Sequence, residues 1–335
     1  MRAVALWKYL PIEHPESLVD VELPAPTPGP RDLRVQVKAI AVNPVDVKQR
    51  APKDKVESAP RVLGWDVAGV VESVGAEVKR FQVGDEVFYA GSIVRPGCAS
   101  ELHLVDERIV GKKPKSLSFA QAAALPLTSL TAWELLFERL EVAREAPDVL
   151  LVVGAAGGVG SILVQLARKR TALTVVGTAS RPQTVQWVKD LGAHHVIDHG
   201  LPLATQLKAL FPQGARYAVG LTQTDRHFPD LAELMAPEGK LGLIDDPKQP
   251  LDVMLLKRKS VSLHWELMFT RSLYETKTLE QQGRILDEVS ALVDQGVLRT
   301  TLNEDLGPIS AANLKRAHAL LETGHARGKL VLGGF

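Results

Sequence analysis

The chain has 335 residues, more than one hydrophobic core usually organises, so two domains are expected. Lysine and arginine number 40 against 39 acids, and 45% of the residues are hydrophobic. That balance excludes a disordered chain, a nucleic-acid footprint and a polybasic membrane surface. The single cysteine, Cys98, excludes a disulfide framework and a multi-cysteine metal lobe, and it reads as a small core filler.

The first ten residues are apolar only in short alternating pieces, and no stretch approaches the roughly 20 residues of a membrane span. The expected location is the cytoplasm. Residues 24–30 hold the densest proline cluster and read as a surface loop. Residues 33–37 alternate apolar and polar as a half-buried strand does, residues 67–74 are largely apolar, and residues 83–87 form a turn feeding another strand. Between them, Asn43 and Pro44 begin a short helix, with Asp46 in its first turn where a carboxylate suits the dipole.

From about Val149 the pattern becomes short apolar runs alternating with helical stretches, the signature of βαβ units on a parallel sheet. Strands are predicted at 149–153, 173–176, 195–197, 217–221, 241–244 and 261–264. The helix after the first strand ends in Arg168, Lys169 and Arg170, the next is capped by Ser180 with Pro182 in its first turn, and Gly192 stops it. Past about Trp265 come helices over 278–295 and 311–322 and a last strand at 330–332. The fold class is α/β, with a doubly wound parallel sheet inserted in a β-rich domain.

The turn Gly154-Ala155-Ala156-Gly157-Gly158-Val159-Gly160 lies between the first of these strands and its helix. A dinucleotide pyrophosphate needs helix N-terminal N–H groups with no side chains in the way, and Gly154, Gly157 and Gly160 meet that need; Ala156, Gly158 and Val159 complete the expected cofactor contact. A triphosphatase loop would place Lys-Ser or Lys-Thr after the last glycine, whereas Ser161 and Ile162 follow here. An acid at the end of the second strand would select NAD. That position holds Gly177-Thr178-Ala179-Ser180-Arg181, a hydrogen-bond donor and a cation for a ribose phosphate, so NADPH (NADP) is the expected cofactor. A tight turn without a ligand is the bland alternative.

Several segments together resemble one family: Asn43-Pro-Val-Asp46, Leu63-Gly-Trp-Asp66-Val-Ala-Gly69 through Gly75, residues 83–87, residues 124–132, the Gly154 turn and Gly328-Lys-Leu-Val331. They are similar over nearly the whole length to the medium-chain dehydrogenase/reductase superfamily, in its zinc-free quinone oxidoreductase and enone reductase branch. Residues 259–271 are similar to proteins often called zinc-type alcohol dehydrogenase-like. The resemblance implies a GroES-like catalytic domain over 1–123 and 266–335, a Rossmann NADP-binding domain over 124–265, and a homodimer joined near Val261. In zinc-dependent relatives the metal ligands would fall at Asn43, at Trp65 with Asp66, and near Leu125, where none of the required Cys or His side chains stands, so no zinc is expected.

Without a Lewis acid, hydride addition to an electron-poor C=C bond or a quinone demands less than alcohol oxidation does. The expected substrate is therefore a small electrophile. By resemblance, Asn43 holds or donates to substrate, Asp46 orients it or Lys48, and Lys48 touches cofactor or substrate. Trp65, Asp66 and Phe269 form pocket walls. Thr131 faces the nicotinamide, the backbone at Ile244 meets the carboxamide, and Lys329 approaches the cofactor. Two readings stay open beside this one: a quinone reductase with little alkene activity, and an NADPH-binding sensor without turnover.

Overall fold

The computed structural model describes residues 1–335. Contacts gather the chain into two compact units, one formed by Met1–Leu130 with Phe269–Phe335 and the other by Thr131–Met268.

The first unit begins with β1 (Arg2–Tyr9), β2 (Val19–Glu22), β3 (Asp32–Ala41), α1 (Pro44–Arg50), β4 (Lys53–Val62), β5 (Val67–Val74), β6 (Glu86–Tyr89), β7 (Leu102–Asp106) and β8 (Gly111–Lys112). Two short helices follow, α2 (Phe119–Ala123) and α3 (Pro126–Trp133). β3 alternates as its sequence predicts. Leu33, Val35 and Val37 are buried, and Gln36 between them faces out. β4 gave no such signal, because its residues are mostly polar and exposed; it holds its place as an edge strand on β1.

In the second unit a π-helical stretch, Glu134–Arg139, leads to β9 (Val149–Val153), α4 (Gly158–Arg170), β10 (Thr174–Thr178), α5 (Pro182–Asp190), β11 (His195–Ile197) and α6 (Leu203–Leu210). Then come β12 (Ala215–Gly220), α7 (Thr224–Leu234), β13 (Met235–Leu243), α8 (Met254–Lys257) and β14 (Ser262–Trp265). The sheet order is β11-β10-β9-β12-β13-β14, all parallel, which is the doubly wound order expected of a dinucleotide-binding sheet. The central strand β9 is a continuous apolar run, Val149-Leu-Leu-Val-Val153, because helices cover both faces there. Leu151, Val153, Val176 and Leu241 pack with Leu207 of α6 and Phe228 and Leu231 of α7. One detail differs from the sequence reading. The N-cap of α5 is Arg181, and Ser180 instead bonds His199 through Oγ at 3.1 Å.

The chain returns to the first unit with α9 (Thr270–Leu273), α10 (Gln281–Asp294), β15 (Leu302–Asp305), α11 (Ala311–Glu322) and β16 (Lys329–Gly333). β16 runs antiparallel to β3, with Val331 opposite Ala41, and the sheet order there is β15-β16-β3-β5-β6-β8. Pairing the last strand with the third puts Lys329 beside the end of β3, where α1 starts.

Helix α1 is fixed at both ends. Pro44 presets the first turn, and Asp46 Oδ2 accepts the Asn43 N–H at 2.5 Å. At the other end the buried Arg50 donates to Leu10 O at 2.6 Å, to His318 Nδ1 at 3.3 Å and to Glu322. Since His318 Nδ1 accepts, the ring is the neutral Nε2–H tautomer; burial and the Arg50 cation push its pKa down to about 3. Asp46 Oδ1 is buried without a partner and borders a small enclosed cavity that His318 also lines.

Burial pushes Asp46 up to about 7, against the Asn43 hydrogen bond and the attraction of Lys329. Between its ordinary value of 3.8 and about 7, the folded chain keeps a proton that the unfolded chain has released, so this group's contribution to stability falls as pH rises. His318 acts in the opposite sense, because below its ordinary value of 6.5 the unfolded chain gains a proton that the buried ring refuses. An Asp46→Asn variant isolates the first effect. Its Tm minus that of the wild type is expected to climb from pH 4 to pH 7 and then level off; a pH-independent difference in a thermal-melt series would refute a raised Asp46 pKa.

Candidate active site

Within the Thr131–Met268 unit, the glycine turn sits at the carboxyl end of β9, beside β12, where the strand order reverses and doubly wound sheets bind their ligands. Gly154 has φ of +84°, a left-handed conformation that a side chain would strain, and its N–H donates to Thr178 Oγ1 at 3.1 Å. Gly160 must lack a Cβ, which would lie 2.3 Å from Gly154 O. Gly157 is the N-cap of α4, and the first bond inside the helix runs from Ser161 N to Gly157 O at 2.9 Å. The N–H groups of Gly158, Val159 and Gly160 therefore face the helix mouth, and Ala156 through Val159 are only half-buried. These residues fit a dinucleotide pyrophosphate.

The end of β10 carries Ser180 and Arg181, both exposed. Ser180 leans on His199. His199 lines a hollow of about 250 Å³ with Arg226, His227 and Asp230. Burial, partly offset by Asp198, and the nearby cations Arg226 and Arg181 lower the His199 pKa. The sequence signal that could have found this group is the position of His199 just past β11, next in the sheet to β10. Ile244 follows β13 and donates its N–H to Gly220 O at 3.3 Å; Thr131 is buried.

In the other unit the structure gathers Asn43, Asp46, Asp66 and Lys329 into one buried network. Lys329 is 3% exposed and Asp66 0% exposed, so neither charge could stand alone. The ammonium has three donors and meets three acceptors: Val42 O at 2.8 Å, Asp66 Oδ2 at 2.9 Å and Asn43 Oδ1. Asp66 Oδ2 also accepts from Asn43 Nδ2 at 2.8 Å, while Oδ1 accepts the Leu127 N–H at 2.8 Å in the first turn of α3. One carboxylate thus ties β5, α1, α3 and β16 together. Burial raises its pKa, and Lys329 is the main opposing influence.

This geometry bonds three of the expected site residues to one another. Asn43 is expected to donate to substrate and Lys329 to approach cofactor, but Asn43 is 1% exposed with its amide nitrogen and oxygen bound inside, and Lys329 uses its three donors on Val42, Asn43 and Asp66. Asp66 is likewise an anchor rather than a wall. Asn43 is the N-cap of α1, whose exposed Lys48 is the remaining outward-facing candidate of that segment. Trp65 and Phe269 do come together, edge to face with centroids 6.2 Å apart, and Trp65 Nε1 donates to Ser92 O at 3.2 Å.

Residues 29–115 match the alcohol dehydrogenase GroES-like domain, and residues 191–332 match the family described as zinc-binding dehydrogenase. A Staphylococcus epidermidis protein called zinc-type alcohol dehydrogenase-like protein is 37% identical over 337 residues, covering 99% of both chains. A crystal structure from Rhizobium etli CFN 42, whose name places it with zinc-dependent alcohol dehydrogenases, is 56% identical with TM-score 0.96, over 100% of this chain and 98% of that one. Escherichia coli quinone oxidoreductase, solved in complex with NADPH, is 26% identical with TM-score 0.84, over 99% of this chain and 100% of that one.

The zinc in some of these names would need a set of donor side chains in this chain. Asn43, Trp65 with Asp66, and the neighbourhood of the buried Leu125 are where the resemblance expects zinc ligands; the oxygens of Asn43 and Asp66 already hold an ammonium, and no group of three or more His, Cys, Asp or Glu side chains is placed to hold a metal ion. This donor set does not fit a zinc ion, which takes thiolate, imidazole and carboxylate ligands in a tetrahedron. With a doubly wound sheet and a GroES-like sheet in one chain, and a relative this similar over its whole length, the chain belongs to the medium-chain dehydrogenase/reductase superfamily of oxidoreductases.

Proposed function

We propose that the chain is an NADPH-dependent, zinc-independent reductase that reduces an activated C=C bond, as in an enone or acrylate-like compound, or a quinone. The observation that carries the cofactor choice is the end of β10. Where a carboxylate would select NAD, Ser180 and Arg181 stand with His199 and Arg226 close by, a donor and cations suited to the phosphate of NADPH. The E. coli relative solved with NADPH supports the same choice.

When bound, the cofactor supplies the hydride. Gly157, Gly158, Val159 and Gly160 hold its pyrophosphate on the α4 N-terminus, Ser180 and Arg181 hold the ribose phosphate, and Thr131 and the Ile244 backbone hold the nicotinamide. Trp65 and Phe269 shape an apolar wall against which a flat conjugated substrate lies. Lys48 contributes an N–H donor to the substrate carbonyl, and Asp46 and Asn43 fix the helix that carries it. The ligand positions at Asn43, Trp65 and Leu125 supply no Lewis acid, and conjugate reduction needs only a polarised carbonyl and a proton at the α-carbon.

The partner is a second copy of the chain. β14 is the last strand of its sheet, and Trp265 and Leu267 beside it are 51% and 53% exposed. Adding a strand across this edge would satisfy its free backbone groups and cover both side chains.

The test is NADPH consumption across enones, acrylates and quinones, with products identified by NMR. Saturated carbonyl products are expected; hydroquinone alone would make the chain a quinone reductase, and tight NADPH binding without consumption would make it a sensor. Arg181→Ala should weaken NADPH binding about 10-fold or more while NADH changes little, the size of one charge-assisted hydrogen bond. Equal losses for both cofactors would refute the phosphate role. Lys48→Ala should lower kcat/KM about 10- to 100-fold, and unchanged kinetics would remove Lys48 from the site. Light scattering should give twice the monomer mass, shifted toward monomer by Trp265→Lys; a monomeric wild type would end the dimer proposal.

A further inference from the structure

Relatives of this chain carry zinc in their names, yet a cation does sit at the start of α1, and it belongs to the protein. We propose that Lys329 is the resident cation of this unit, a positioning residue whose ammonium holds Asn43 and Asp66 together and so sets the placement of α1 and its Lys48. The part of this inference that concerns turnover rests on the reductase reading; the part that concerns the ammonium site does not.

Three acceptor oxygens converge on one point: Val42 O, Asn43 Oδ1 and Asp66 Oδ2. None of them could tolerate the others without a donor between, and the Lys329 ammonium supplies one hydrogen to each. The acceptors come from different segments. Val42 and Asn43 join β3 to α1, and Asp66 opens β5 while it also caps the Leu127 N–H. Lys329 itself is the first residue of β16, which the β-sheet holds in register against β3. The position of the ammonium is therefore set by the backbone, and the Asn43 carboxamide has one orientation that serves both neighbours: oxygen toward Lys329, nitrogen toward Asp66 Oδ2 at 2.8 Å.

Asn43 is also the residue whose N–H Asp46 caps, so a rotation there would disturb the first turn of α1. Remove the ammonium and Asp66 keeps a buried charge whose main opposing influence is gone. The carboxamide loses the partner that fixes its orientation, and α1 loses its anchor. A bound metal would have to displace the ammonium and would find only oxygen donors there.

The test uses Lys329→Ala in the full-length protein, with thermal melts and steady-state kinetics recorded with and without alkylammonium ions at constant ionic strength. Alanine keeps Cβ, so n-propylammonium replaces the missing atoms. The variant is expected to melt lower and to lose kcat on the order of 100-fold, as for a catalytic group displaced by about 1 Å, with KM for NADPH little changed. Propylammonium should restore both Tm and kcat, methylammonium less so, and tetramethylammonium, which has no N–H, not at all. A variant as stable and active as the wild type overturns the proposal, as does restoration by Zn²⁺ or failure of propylammonium to raise Tm. Should Lys329→Ala not fold, the double variant Asp66→Asn/Lys329→Met removes both charges. It is expected to fold with kcat still depressed, and wild-type kcat in it would show that the ammonium positions nothing. If the wild type reduces no compound tested, the reductase reading fails while the Tm rescue still decides the ammonium site.

Discussion

A lysine ammonium and an aspartate carboxylate, both shut away from water, meet at the end of the GroES-like sheet, and the local structure around them follows from the need to satisfy both. An unpaired ion there would cost several kcal/mol, so the sequence that buries Lys329 must bring acceptors to all three of its hydrogens. It does so with a backbone carbonyl, an amide oxygen and Asp66, and it spends the remaining capacity of Asp66 on the Asn43 amide and the Leu127 N–H. A buried pair of this kind adds little net stability over an apolar replacement. Its effect is geometric, because it admits one arrangement of four chain segments and penalises the others.

The same logic orders the dinucleotide-type unit through the backbone rather than through side chains. Gly154 turns the chain with a positive φ, Gly160 lets α4 approach the turn, and the helix mouth presents N–H groups that no side chain obstructs. The next strand decides which side chains stand beside the turn. Thr178 stabilises the turn, and two residues later Ser180 and Arg181 face solvent beside His199. A hydroxyl and a cation can donate hydrogen bonds to an anionic group, which a carboxylate at that place could not.

The zinc name and the donor set part company for a chemical reason. A zinc site needs deprotonated thiolates, neutral imidazoles or carboxylates converging with room for the ion. Here the converging groups are oxygens that already accept from an ammonium. Sheets and helices depend on packing whereas a metal site depends on a handful of side chains, so a scaffold shared with relatives does not by itself carry the ion in their names.

Periodicity and glycine placement let the sequence by itself determine much of this protein. The strands at β9 and β11 and the helix α11 lie where the apolar runs put them, the doubly wound order follows from the βα alternation, and the glycine turn marks its own helix mouth. Those signals are local, carried by residues within one or two turns of each other. β4 escaped notice because an exposed edge strand needs no apolar face, and the π-helical stretch and β15 carry no pattern of their own. What only the tertiary structure decided is the job of each marked residue. Asn43, Asp66 and Lys329 were all visible in motifs, yet Asp66 and Lys329 are 263 positions apart, and nothing local says that their charges neutralise one another. Long-range pairing of β16 with β3 makes that contact, and burial then converts three candidate ligand contacts into one internal network.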